Sequence, residues 1–457
     1  MAGCQALAGK HVDEIAAESG MSRSYVYEQK AEVIKHAADL NTAATKSPTL
    51  ELSKETIEKI VLILTMECQS PSCGIQNFFE IICGINVSAG RISSILNEAA
   101  KRAQAFDDTI DLSRINQMAV DEIFQCGMPI LTGVDPVSTY TFLLEEASDR
   151  TADTWALYLD ERKEKGLNPE TSINDGGMGL MAGIPQVFPE AEIQADTFHA
   201  LHDMSKEVSK LERKAYKLIN GEHELEVKLA GKKPRSKHIE SLKELRPKVE
   251  EAIRQYDQIS ILFEWLKMLL NFSGYTLTET NVLAEWIFCE IENLAAGNAG
   301  LLKETIKVRK LLPSLLSFIG RLERGMEVVA CKTGVPVAAY KLMYKQMSYN
   351  PGSPQDTEIQ CSLVNLLQDK YMNARDEFRK LLDTTKKASS LVENLNGRIR
   401  VFIEVKRVIP TNFFVLLKVF YNTRRYKRSR YLNRRGKSPL ELLTGNMQPD
   451  FLTVLGY

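Results

Sequence analysis

The sequence predicts an α/β protein in which one mixed sheet is interrupted by a large all-helical insertion and preceded by short helical units. Three observations carry that expectation. Between Met118 and Ala195, β-branched and aromatic runs alternate with helical patterns in the order β-β-β-α-β-α-β. From about Ser205 to Lys387 apolar residues recur at helical spacing instead. Ahead of both, two segments with helical patterns flank a small, polar stretch. The expected division is 1–40, 50–112, 116–204, 205–387 and 388–445, with 446–457 as a tail.

The first element is a helical pair. Val12, Ile15, Ala16 and Ser19 share one helical face, Gly20 supplies the turn, and Ser22 fits the N-cap of a second helix over Arg23–Ala31. The stretch Asp13–Tyr27 resembles a helix-turn-helix, in which Arg23, Ser24 and Tyr27 lead into the DNA major groove. A plain helical hairpin is the alternative reading. Asn41–Pro48 has linker composition. Lys54–Leu64 then reads helical, and Ile75–Ile82, Gly84 and Ser88–Ile95 repeat the turn-and-cap pattern more weakly, as a second DNA-binding unit or a collar.

Strands follow at Met118–Phe124, Pro129–Val134 and Tyr140–Glu145, then a helix over Thr151–Lys165. A short strand, Ser172–Asn174, runs into Asp175-Gly176-Gly177; Met178–Phe188 is helical and Glu192–Ala195 is a strand. Another helix follows His199. This order is that of the ribonuclease-H-like fold, with the first three strands antiparallel, the last two parallel, and the first beside the fourth. Asp121 lies inside an otherwise apolar strand, where an ionised carboxylate is costly unless it is paired or binds metal. Asp175 ends the fourth strand, where two glycines let the backbone pass close to other groups. Together the two acids suit a hard, oxygen-seeking cation such as Mg²⁺. Singly, each has a plain reading, as a turn residue or a hydrogen-bond acceptor.

Within the insertion, Val208, Leu211, Ala215 and Leu218 keep helical spacing, as do Leu242, Leu245 and Val249 around a possible kink at Pro247. Gly231–Lys237 is a basic loop and Tyr349–Pro354 the clearest break. Near the C-terminus Arg424, Arg425, Lys427, Arg428, Arg430, Arg434, Arg435 and Lys437 occur without an acid, accompanied by Tyr421, Tyr426 and Tyr431. Such a segment suits phosphate binding, with a solvated tail as the alternative.

Val120-Asp-Glu-Ile-Phe124, Asn174-Asp-Gly-Gly-Met-Gly179 and Ala195-Asp-Thr-Phe-His199 resemble the core of DDE transposases, nearest to the bacterial insertion-sequence and Mutator-like groups. The resemblance runs from about Asn116 to Leu443 and is architectural only inside the insertion. It implies Asp121, Asp175 and a later glutamate as catalytic ligands of two Mg²⁺ or Mn²⁺ ions, with Asp121 bridging both. It places that glutamate at the start of a helix after the insertion. Glu393 in Ser390–Arg400 fits, with Glu404 as its competitor. Asn394, Asn396, Arg398 and Arg400 would then contact DNA phosphates, and Asp196 and His199 would sit beside the centre, with a core or cap role for His199 as the alternative. Related enzymes use an aromatic of the insertion against a distorted base, whereas Trp265 and Trp286 more simply read as core.

Composition excludes other classes. With 58 basic and 59 acidic residues the net charge is −1, neutral as to nucleic acid. No run reaches the ~18 consecutive apolar residues of a membrane span. Met1–Gly9 lacks the features of a signal peptide. The eight cysteines do not form a disulfide framework, and Cys68, Cys73 and Cys83 read as buried thiols rather than a zinc site. Neither a phosphate-loop nor a dinucleotide motif occurs. The cysteines point to a reducing, cytoplasmic compartment, and the resemblance implies a nucleoid-associated enzyme that acts on double-stranded DNA at element ends and target, as a homo-oligomer. The rival expectations are a catalytically idle DNA-binding descendant and a helix-turn-helix regulator.

Overall fold

The computed structural model describes residues 1–44, 52–231 and 236–457, with no side chains for 38–44. They form two compact units, Met1–Ala99 with Gly456–Tyr457, and Ala100–Leu455.

The first unit begins with α1 (Ala2–Leu7), α2 (Val12–Ser19) and α3 (Arg23–Ala44). Ala2, Ala6, Ile15 and Val26 close a small core between them. Gly20 takes the left-handed conformation (φ 66°) that ends α2, and the Ser22 hydroxyl accepts from Tyr25 N at 3.3 Å. With no Gly or Pro between Arg23 and Ala44, α3 runs past the expected end at Ala31 and into the expected linker Asn41–Pro48, of which 45–48 lie outside the described residues. α4 (Lys54–Met66), α5 (Ser72–Phe78) with a π-helical turn over Phe79–Cys83, and α6 (Ala89–Asp107) follow, the last belonging to the second unit from Ala100 on.

The second unit is built on a five-stranded mixed sheet. Its strands are β1 (Gln117–Gln125), β2 (Met128–Val134), β3 (Thr141–Glu146), β4 (Thr171–Asn174) and β5 (Glu192–Ala195). They lie in the order β3-β2-β1-β4-β5. β1–β2 and β2–β3 pair antiparallel; β1–β4 and β4–β5 pair parallel. Side chains alternate across a strand. Met118, Val120, Leu131 and Leu143 therefore share one face, packed against Trp155 and Leu159 of α7 (Ala152–Glu164) and Leu180 and Ile184 of α8 (Met178–Val187). α8 sits close because Gly179 has no side chain; a Cβ there would collide with the Arg150 carbonyl oxygen. That close approach falls at Gly179 rather than at Gly176 and Gly177. Gly176 serves a different need, a left-handed turn at φ 82°.

Between β5 and the return to the sheet lie α9 (Thr197–Ala230), α10 (Ser236–Leu269), α11 (Leu277–Leu294), α12 (Ala299–Leu315), α13 (Ser317–Thr333), α14 (Val337–Gln346), α15 (Pro354–Leu367) and α16 (Tyr371–Thr384). Pro247 sits inside α10 without ending it. Residues 232–235 of the basic loop lie outside the described residues. The insertion covers the open edge of β5: the Ser314 hydroxyl accepts from Ala195 N and donates to Ile193 O, both at 2.8 Å. The chain returns as α17 (Ser390–Lys406), which packs across β1 and β2, and α18 (Thr411–Thr423), which packs against β3. α19 (Pro439–Thr444) and α20 (Phe451–Val454) end the unit. Among the described residues no helix is long and apolar enough to cross a membrane.

Candidate active site

Asp121 sits on the sheet face opposite Val120, paired across to Thr132, whose hydroxyl donates to the Asp121 carbonyl at 2.8 Å. The parallel register of β1 and β4 ends with Ala119 opposite Ile173. Continued two residues, it brings Asp121 level with Asp175 on the same face. Asp175 is exposed, and its Oδ1 accepts from Gly177 N at 2.9 Å in the turn that leaves β4. The strand thus supplies one fixed, partly buried acid and the turn a second, accessible one.

The like charge of Asp175 is felt at Asp121. Burial, and then that charge, push the Asp121 carboxyl up to about 6, against the bond from Glu122 N and the positive charge of His199. Asn396 of α17 adds a neutral partner: its Nδ2 donates to Asp121 Oδ2 at 2.7 Å, while its own buried Oδ1 has no partner among the described residues.

Glu393 lies one turn before Asn396 on the same helix. Its Oε1 is 3.1 Å from His199 Nε2. His199 belongs to the first turn of α9, whose N-cap is Asp196; Asp196 Oδ1 accepts from Phe198 N at 2.6 Å and His199 N at 3.1 Å. The Nδ1 of His199 faces that carboxylate at 3.7 Å. Asp196, with the nearby charges of Glu393 and Asp121, holds the imidazole protonated, its pKa raised to about 9. Burial alone would raise Asp196, but the bonds from His199 and Ser389 hold it down to about 2. Asp121, Asp175, Glu393, Asp196 and His199 thus belong to one electrostatic neighbourhood. Among the described residues, however, no three His, Cys, Asp or Glu side chains form a ready metal cluster. Glu404 is exposed, farther along α17.

Several expected residues are placed differently. Asn396 is 1% exposed and bound to Asp121, so it does not face solvent where a phosphate would lie. The i, i+3 spacing puts it on the face of α17 that carries Glu393, but nothing in that spacing gives the bond to Asp121. Asn394, Arg398 and Arg400 are exposed on that helix, and Arg398 lies over the Tyr421 ring at 5.6 Å.

In the basic segment Arg425 is tied to Glu441 at 2.8 Å and Arg434 stacks on Tyr431 at 4.6 Å, which engages both guanidinium groups locally. Lys427, Arg428, Arg430 and Arg435 line an open recess, and Arg424 and Lys437 are exposed. At α3, Arg23, Ser24 and Tyr27 are exposed, with Arg23 paired to Asp13 at 2.5 Å. Trp265 and Trp286 are not core: they stack on each other, 43% and 47% exposed, beside a cavity of about 510 Å³. Of the three cysteines read as buried, Cys68 and Cys73 are exposed and Cys83 is buried.

No family model matches the chain, and no curated protein matches it.

Proposed function

We propose that this chain is a DNA transposase of the DDE kind, with a ribonuclease-H-like core that cuts element ends and joins them to target DNA. One observation carries the reading: the acid inside β1 and the acid ending β4 come level under a helix that returns from the insertion bearing Glu393. The strand order β3-β2-β1-β4-β5, antiparallel and then parallel, is the arrangement expected of such a core.

The donor set fits Mg²⁺ or Mn²⁺. Carboxylate oxygens are hard ligands, and no thiol is among them. Asp121, Asp175 and Glu393 would hold two such ions, which when bound supply Lewis acidity towards a phosphodiester and the attacking oxygen. The chain's own groups do the rest. Asn396 fixes the Asp121 carboxylate, and His199 sets a positive charge beside the acids. Lys427, Arg428, Arg430 and Arg435 suit phosphates of double-stranded DNA, and Arg23, Ser24 and Tyr27 suit a major groove. Synapsis of two ends calls for a homo-oligomer, and a cytoplasmic, nucleoid-associated place goes with this reading.

The test uses full-length protein, Mg²⁺ and labelled DNA carrying inverted repeats that flank the coding region. Asp121→Asn is expected to abolish cleavage and strand transfer while end-binding persists; equal activity of mutant and wild type sinks the assignment. A second reading, an idle DNA-binding descendant, is favoured by the pairing of Glu393 with His199 in place of a three-carboxylate cluster. Binding of the ends without any metal-dependent cleavage by wild type selects it.

A further inference from the structure

We propose that Asp196 is a positioning residue for Glu393, tying the point where the helical insertion leaves the sheet to the point where the chain returns as α17. This rests on the reading of Glu393 as a metal ligand given above. As the N-cap of α9, Asp196 needs only one carboxylate oxygen, and Oδ1 fills that task. The second oxygen reaches across the chain. Oδ2 accepts from Ser389 N at 2.5 Å and from the Ser389 hydroxyl, over a sequence separation of 193. Asp196 and Ser389 are each 2% exposed, so water does not substitute for these bonds.

Ser389 is the N-cap of α17, and its carbonyl accepts from Glu393 N at 3.2 Å. Where Ser389 is held, the first turn of α17 and the Glu393 side chain follow. The returning segment is pinned on further sides as well. Lys386 O accepts from Arg321 of α13 at 2.8 Å, and Thr384 O accepts from Gln117 of β1 at 2.8 Å. From the other side of the junction, His199 in the first turn of α9 holds the Glu393 carboxylate itself. Both grips on Glu393 therefore start from Asp196, and a shift of the insertion is passed to the acid through them.

Ser389→Ala tests this in the full-length chain, because it removes the hydroxyl and leaves the α9 cap intact. Two measurements are made: Mn²⁺ affinity by calorimetry, and hydrogen exchange of the amides at 389–393. The expected result is Mn²⁺ binding weakened about 10–100-fold, as for other groups that orient a metal ligand, with faster exchange at 389–393 and recovery of both in Ser389→Thr. Asp196→Asn, which keeps an acceptor for the α9 cap but turns an NH₂ towards Ser389, is expected to behave like Ser389→Ala. Wild-type Mn²⁺ affinity and exchange in Ser389→Ala overturn the proposal. If wild type itself binds no Mn²⁺, the metal-site reading falls, and with it Glu393 as a ligand to be positioned. Faster exchange at 389–393 would then report a structural clamp alone.

Discussion

Asp107 and Asp121 are both acids drawn into the interior of the second unit, and their surroundings differ in sign. Asp107, at the end of α6, has Lys418 at 2.8 Å and Lys165 at 3.3 Å. Lys418 is 1% exposed in the apolar helix α18, and burial pulls its ammonium below the ordinary lysine value against the pull of Asp107. Arg162 nearby closes on Glu145. Asp121 has instead Asp175 and Glu122 as charged neighbours, a neutral amide from Asn396, and the positive charge of a His199 already engaged by Asp196 and Glu393. The first cluster closes its charge with its own residues; the second leaves an excess of carboxylate. A protein that merely needs a buried acid supplies its partner. One that keeps Asp121 and Asp175 together must either hold a proton there or take up a cation, and the second is the proposal made above.

The comparison breaks first on activity and stability together. Asp121→Asn should bring metal-dependent cleavage to background while leaving the metal-free protein at least as stable as wild type above pH 6, because it removes a carboxylate whose ionisation is disfavoured there. Lys418→Met should do the reverse, lowering stability by about 1–3 kcal/mol, because Asp107 loses its closest cation and keeps only Lys165. Pairing it with Asp107→Asn should recover most of that loss. Urea unfolding followed by circular dichroism reads both; comparable destabilisation by Asp121→Asn and Lys418→Met would show that the two clusters are alike after all.

A smaller effect sharpens the second cluster. Asn396→Ala removes the amide that orients Asp121 and opens only a small gap, so Mn²⁺ affinity should fall about 10–100-fold with end-binding unchanged. Calorimetry with Mn²⁺ checks it, and an unchanged affinity would leave Asn396 a mere packing residue.

How far these clusters could be read from the chain differs for the same physical reason. The strands were legible because β-branched and aromatic runs follow strand periodicity, and Asp121 because it interrupts one of them. Lys418 had the same signal, a charge within Phe413–Tyr421, but its partner Asp107 is 311 positions away. The donor to Asp121 Oδ2 is 275 positions away. Such contacts are set by which helix packs on which strand, and periodicity within a helix does not carry that. Trp265 and Trp286 misled for the related reason that a large aromatic at helical spacing reads as core, whereas here the pair lies on the surface of α10 and α11. The long α3 was underestimated because a composition suited to a linker also permits a helix where, as over Asn41–Ala44, it has no Gly or Pro.

The smallest expected effect is on pH dependence, and it separates the acids from the histidine beside them. The Asp121 carboxyl is raised from 3.8 to about 6, so its protonated form is favoured by folding. Its contribution to metal-free stability is whole below pH 3.8 and is lost as pH rises through 6. His199 is raised from 6.5 to about 9, and its contribution is whole below pH 6.5 and lost as pH rises through 9. The two windows do not overlap, so thermal melting of the metal-free protein should fall in two steps. Asp121→Asn should remove the first step and His199→Gln the second, which is worth on the order of 1 kcal/mol given the partial exposure of the ring. Mn²⁺ should act against the first step, because binding favours the ionised Asp121 and tightens as pH rises through 6. A melting curve flat from pH 6.5 to 9 in wild type would remove the imidazolium from the site, and with it the electrostatic hold on Glu393.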